Sequence, residues 1–406
     1  DLAAVFLEFS VHLVVRRGRV GLVIPKRIVT NESYADLREF VAVDTPLVSA
    51  IDLGVAFEDV NNDALILVTG FPSSGVFYLG EREGESKLRT WQANPSLLEV
   101  MPYHIIPVNS QAGEVELVEK ITNVFHVPFG DLVSIVRGAE CGMNHTAIHQ
   151  EAERQGLALI DHLDVTRYGV HYSGWKVDPS KISSSKLKST TVYRETPKLM
   201  IRFLSAELIV GKDEVGYAST NLVYHVHLLE GMYLSLDFLL AILNSRLLSF
   251  WYRVAFQNEE VKFPHVQKSH LRSLPIREIA FTTPTDERER LAAVGITEAT
   301  EWIEGTEKAS VESVSFSAFS DSDLGCWLDE RLSADPEQAD VVHDLLAHLA
   351  EQMIALHKER QRLERALDPF KYLDRGAPFV PFPEAFAEEI KYGRRVTAPV
   401  DLGAVT

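Results

Sequence analysis

Two cysteines in 406 residues are too few to staple a fold, and Cys141 and Cys326 lie far apart with no CxxC or Cys/His companion spacing. That spacing argues against a disulfide framework and a zinc site, and a reducing, cytoplasmic compartment fits. No apolar run reaches the roughly 18 residues needed to cross a bilayer. The first apolar segment carries Glu8 and His12 with no small-residue cleavage pattern behind it, so neither a membrane partner nor a secretory signal is expected. A phosphate-binding GxxxxGK[ST] loop and a GxSxG elbow are also missing, which leaves ATPase and hydrolase chemistry without support. His145 and His149 stand four apart near Cys141, but Thr146 sits where a metalloprotease helix needs glutamate, and no metal is expected.

Basic residues are outnumbered overall, with a net charge of -18 that argues at first against nucleic acid, whose phosphates need Lys and Arg. The deficit is local. Residues 281–345 hold sixteen Asp or Glu against four Lys or Arg, whereas residues 160–202 hold eight basic and four acidic side chains, and residues 246–277 six and two. A polyanion responds to the local field, not to the total.

The chain is long enough for two or three domains. It opens on Asp with no methionine, which fits a piece of a longer protein. The run DLAAVFLEFSVHLVV places Leu2, Val5, Phe6, Phe9 and Leu13 on one apolar helical face, and after a basic turn with Gly18 the stretch Val20 to Ile24 reads as a buried strand ended by Pro25. A helix over 33–41 (Tyr34, Leu37 and Phe40 on one side) and strands over 47–53 and 64–69 follow, implying one side of a mixed or parallel α/β sheet within residues 1–80. Three strands leave an apolar edge uncovered, so a partner half is expected.

Residues 90–285 change texture to short β-rich segments (KLMIRFL, ELIVGK, NLVYHVHLL), expected to form a mostly antiparallel α+β domain with one strong helix over 236–252 packed on its sheet. Residues 286–335 read as an acidic connector. Residues 336–406 are expected to be a helical tail, in which Leu345, Leu349, Met353, Leu356 and Leu363 recur at helical steps and 341–366 offers a docking or dimerisation seam.

These segments, in this order, resemble the carboxy-terminal two-thirds of N6-adenine DNA methyltransferases of restriction-modification type with a TaqI-like specificity domain. The resemblance rests on GRVGLVIPKRIVTNESYADLREF, SAIDLGVAFEDVNNDALILVTGF, KLMIRFLSAELIVGKDEVGYASTNLVYHV, KFPHVQKSHLRSLPI, HLAEQMIALHKERQRLE and, most specifically, LLAILNSRLLSFWY followed by HLRSLPI. It implies an α/β fold in which residues 1–80 are the distal half of a Rossmann-like methyltransferase sheet, followed by a target-recognition domain and a long helix. The implied reaction is methyl transfer from S-adenosylmethionine to adenine N6 in double-stranded DNA, for restriction-modification or phage defence, beside a possible nuclease domain or subunit.

The family's Gly-rich cofactor loop and Asn-Pro-Pro-aromatic motif are not in this chain. Asn94-Pro95 continues into Ser96, and Gly70 to Gly75 follows the last strand instead of opening a helix. RRGRVGLVIPK is therefore expected to follow a cofactor half, and the chain carries no catalytic and no cofactor-binding residue of its own. Phe71 falls near a base-stacking aromatic of the family; ordinary strand-end packing is the plainer reading. Two other readings stand beside the enzyme: a non-catalytic DNA-specificity subunit with its catalytic partner in trans, and a helical protein-interaction module.

The segment Arg167 to Arg194 interleaves Tyr168, Tyr172, Trp175 and Tyr193 with Lys176, Lys181, Lys186, Lys188 and Arg194, a mixture suited to phosphates and base edges. A solvated basic loop with its aromatics in the core is the alternative. Lys262, His265, Lys268, His270 and Arg272 extend the strip or merely decorate the surface. Asn244 and Ser245, with Arg246 beside them, read as structural, satisfying backbone groups of the sheet below. Isothermal calorimetry of the chain with S-adenosylmethionine is expected to show no tight binding.

Overall fold

In the computed structural model, β1 (Arg19–Pro25), β2 (Leu47–Val55) and β3 (Asp63–Gly70) form where the apolar runs place them. β3 lies between the other two and is antiparallel to both, with Ile66 opposite Val23 on one side and Ile51 on the other. The described residues are 2–15, 17–57, 63–71, 75–84, 87–124, 126–150, 155–183, 186, 190–256, 265–306 and 316–367. The sheet does not stop at residue 80. β4 (Phe77–Glu83) pairs in parallel with β2, and β5 (Lys87–Ala93) closes a hairpin on β4, giving the order β1-β3-β2-β4-β5. The last two strands were hidden in the sequence because few of their residues reach the core; Phe77, Leu79 and Ala93 do.

The helix α1 (Leu2–Leu13) reverses an expectation. Leu7 is buried and Ala3 and Val11 pack beside it, while Leu2, Val5, Phe6, Phe9 and Leu13 are 57–84% exposed. The segment is apolar nearly all round, so spacing alone does not choose a face. The row Ala3, Leu7, Val11 is also four apart, and its small first member permits close approach.

The helix expected over 33–41 is broken into a 3-10 turn (Glu32–Tyr34), one α-turn (Ala35–Arg38) and a π-helical stretch (Glu39–Asp44). Arg38 is the cause we identify. Its guanidinium is fully buried and donates to the carbonyls of Ile28 (2.8 Å), Asn31 (2.7 Å) and Tyr103 (2.8 and 3.1 Å), a set of acceptors that a regular helix would not present to it. Burial pushes its pKa down to about 10, which leaves it cationic at neutral pH.

Beyond residue 125 a four-stranded antiparallel sheet runs Val210–Asp213, Lys198–Arg202, Val223–Leu228, Val133–Arg137 in spatial order. A second small sheet runs Ala218–Ser219, Leu157–Ile160, Lys176–Val177, Ile148–His149. The expected helix over 236–252 is two helices, Leu236–Leu243 and Arg246–Phe256, broken at Asn244 and Ser245. Trp251 of the second donates its indole N–H to Thr122 Oγ1 (3.0 Å) of the helix Ala112–Asn123. One continuous core joins β2 and β3 to this sheet and helix pair, and reaches Ile354.

The acidic segment is more ordered than a connector. Thr285–Thr306, Phe316–Ser320 and Asp323–Leu332 are helices, and the first and third pack with the start of Ala339–Leu367 around Leu291, Ala299, Trp327, Val341 and Leu345. Gly295 makes the approach possible, since a Cβ there would lie 2.5 Å from the Trp327 ring. The acids that dominate the count leave an apolar row narrow enough to miss by eye. The chain divides into two units, Asp1–His357 and Lys358–Thr406. No described helix is long and apolar enough to cross a membrane.

Two histidines are held neutral inside this fold. Burial, then the charges of Lys198 and His227, keep His225 well below the usual 6.5, and burial with His265 pushes His270 down to about 4. The unfolded chain takes protons at these positions below about pH 6.5 while the folded chain refuses them. Stability is thus undiminished above pH 7 and falls as pH drops from 6.5 toward 4, by up to about 1.4 kcal/mol per pH unit for each histidine. Urea midpoints measured at pH 7.5 and 5.5 are expected to show the fall, with His225→Asn reducing it. Arg38→Leu, which removes charged hydrogen bonds to the carbonyls of Ile28, Asn31 and Tyr103, is expected to lower stability by about 3 kcal/mol in the same measurement.

Candidate nucleic-acid interface

Val165 pairs with Val170 and Thr166 with Gly169, which leaves Arg167 and Tyr168 as the two residues of a tight hairpin turn. Tyr168 adopts the left-handed conformation (φ 66°), its N–H donates to Val210 O (2.8 Å), and its ring lies 5.6 Å from that of His357. Tyr168 therefore belongs to the scaffold, and it turns Arg167 outward at the tip. There Arg167 donates to the carbonyl of Asn244 (2.6 Å) and to the Glu207 carboxylate (2.6 Å).

Asn244 explains the break in the helix pair. Its side-chain oxygen accepts from Val210 N (3.1 Å), and its amide donates to Val210 O (2.9 Å) and Leu240 O (3.1 Å), so it takes the place of a neighbouring strand at the sheet edge. This is the structural role expected of it. Ser245 then starts the second helix by accepting from Leu248 N. Along that helix Arg246, Ser249, Phe250 and Arg253 share one face, and together with Arg167, Ala206, Glu207 and Asn244 they line a cavity of about 670 Å³. Arg253 is bound to Glu114 (2.8 Å), whose carboxyl pKa is lowered overall: burial raises it, and the N–H of Gln111 and the Arg253 charge outweigh that.

The aromatics of the basic segment are largely spent on folding. Tyr193 is fully buried, Trp175 packs against the small core of Ala139, Cys141, Ile148 and Val177, and Tyr172 stacks on Tyr217 at 5.5 Å. Lys176 sits half-buried in a strand between His149 and Ala158. Lys181 and Lys186 are exposed, Lys181 on a 3-10 turn capped by Asp178 and 3.9 Å from that carboxylate. Arg194, Lys268 and Arg272 are exposed at the ends of short helices. Lys188 and Lys262 lie outside the described residues. Phe71, 54% exposed, directly follows β3.

The sequence reading missed the convergence of Arg167 with Arg246 and Arg253. The signal was present, since Arg246, Ser249 and Arg253 are the polar row of an amphipathic helix, but its partner hairpin lies 77 residues away by the Arg167–Asn244 contact. Cys141, His145 and His149 do not converge; among the described residues no three His, Cys, Asp or Glu are grouped to hold a metal ion.

A search of curated proteins gave no match. Among solved structures the chain aligns over 87% of its length with the type IIL restriction-modification enzyme MmeI in complex with DNA, at 12% identity and a TM-score of 0.44, covering 52% of that chain. It aligns over 87% with the type IIG restriction endonuclease BpuSI, at 12% identity and 0.34, covering 49% of that chain. It aligns over 46% with a type I restriction-modification S subunit from M. genitalium, at 14% identity and 0.26, covering 48% of that chain. The chain thus spans about half the length of each. Residues 159–276 match the family model of the TaqI-like C-terminal specificity domain, a segment that contains every candidate residue from Arg167 to Arg272.

Proposed function

We propose that the chain is the DNA-recognition part of a restriction-modification methyltransferase that, when complete, moves a methyl group from S-adenosylmethionine to adenine N6. The observation that carries the reading is the coincidence of two things: residues 159–276 are similar to a specificity domain, and the same residues hold the exposed Lys181, Lys186 and Arg194 and the arginine-lined cavity. Phosphate contacts need such cations, and a rigid frame to present them.

The glycine at the end of β3 does not fit the cofactor. The one glycine that ends a strand of the first sheet, Gly70 (φ 135°), has Gly18 O 2.4 Å from where its Cβ would be, so it seals the end of β3 against β1 and cradles nothing. The cofactor is assigned to a partner half. Two features favour one: β1 pairs on only one edge among the described residues, and the apolar face of α1 beside it is bare. Such an edge and face accept a further strand and its covering layer. On the same reading Phe71, exposed just after β3, would be the aromatic that stacks on a base, with strand-end packing the plainer alternative. A non-catalytic specificity subunit working with a catalytic chain in trans fits the same surface; methylation assays with a separately expressed cofactor half distinguish the two.

The recognition claim is tested by fluorescence anisotropy on duplex DNA across a salt series. Affinity is expected to fall with a log–log slope steeper than about -2, and charge reversal of Lys181 and Lys186 to weaken binding about tenfold. Salt-independent binding, or none, would sink the claim and leave the helical interaction module standing.

A further inference from the structure

We propose that the cavity between Arg167 and the first two turns of the helix Arg246–Phe256 is a seat for one phosphate group of a DNA backbone. This rests on the recognition function above and names a contact that function does not require. Arg167, Arg246 and Arg253 all line the cavity; Glu207 pairs with Arg167 and Glu114 with Arg253, which leaves the charge of Arg246 unneutralised. Arg246 is exposed and makes no hydrogen bond or ion pair with any described residue. Ser249 Oγ is shielded from solvent on the cavity wall and has no hydrogen-bond partner among the described residues, although a serine at this depth ordinarily finds one. A donor without an acceptor beside unneutralised positive charge calls for an oxyanion.

The remaining groups sharpen the choice. The amide of Asn244 is consumed by Val210 and Leu240, so it frames the site without recognising a ligand. The Arg167–Glu207 pair is held by a carboxylate whose side chain is 65% exposed; such a pair contributes little, and a phosphate displaces it readily. The eleven-residue helix begins at Arg246, so its positive dipole end adds to the same point. A metal ion would find one lining carboxylate, already paired with Arg167, among guanidinium groups, which is a poor ligand set. An apolar ligand has a better home in the neighbouring cavity of about 220 Å³, lined by Ile121, Val124, Phe238, Ile242 and Leu248. Guanidinium groups bind phosphate oxygens in pairs, which suits a backbone phosphate gripped from two sides by Arg167 and Arg246.

The test uses the whole chain, with Arg246→Gln and Arg246→Lys and with Ser249→Ala, in the anisotropy salt series. Arg246→Gln is expected to weaken binding about tenfold on every duplex sequence tried and to reduce the magnitude of the salt slope by about one. Arg246→Lys should restore the slope, and Ser249→Ala should weaken binding without changing it. Wild-type affinity and slope in Arg246→Gln, while charge reversal of Lys181 and Lys186 still weakens binding, overturns the seat and leaves the recognition function intact. If the wild type binds no DNA, the recognition function falls, and a pyrophosphate titration followed by thermal shift decides the seat. A saturable response lost in Arg246→Gln keeps it as a site for free phosphates, and no response in the wild type overturns it.

Discussion

The ion pair between Lys198 and Asp213 has no exposed surface, and the antiparallel sheet beyond residue 125 is organised around its complete satisfaction. Lys198 donates to Asp213 (2.6 Å), to Tyr193 O (2.5 Å) and to Glu195 O (3.2 Å). The carboxylate in turn accepts from the N–H groups of Val215, Gly216 and Tyr217. A buried charge left with fewer partners costs several kcal/mol, so strand, turn and the helix Thr190–Arg194 come as one piece or not at all. That helix is where the basic loop ends.

The same economy recurs with single side chains elsewhere. Asn244 stands in for a strand at the edge of the antiparallel sheet, and Arg38 gathers the carbonyls of two separate segments, one at Ile28 and Asn31 and the other at Tyr103. Each is a side chain solving a backbone problem created by an irregular connection. A frame locked in this way spends its aromatics inside. Tyr193, Trp175 and Tyr168 hold the scaffold while lysines and arginines on the same segments remain for solvent and ligand. The acidic helices form their own small core around Trp327.

Local pattern made much of this legible. β1, β2 and β3 fall within a residue or two of the expected runs, because β-branched residues between glycine, proline and acidic breaks leave few alternatives. The helix 236–252 was visible as an apolar repeat, and the role of Asn244 within it followed from the tendency of such side chains to satisfy backbone. Two things were not legible: which face of α1 is buried and the extension of the sheet through β4 and β5. In both the deciding contacts are made with distant segments, and a symmetric or sparse apolar pattern does not choose among them.

For the candidate site the division is sharper. The sequence alone determined the segregation of charge, the position of the basic segment and the type of residue that could meet a polyanion, since these follow from side-chain chemistry read in order. Only the tertiary structure decided that Arg167, Arg246 and Arg253 share a cavity and that three of the aromatics turn inward. Convergence of residues from a hairpin and a helix far along the chain is set by packing of the elements between them, and no local spacing encodes it.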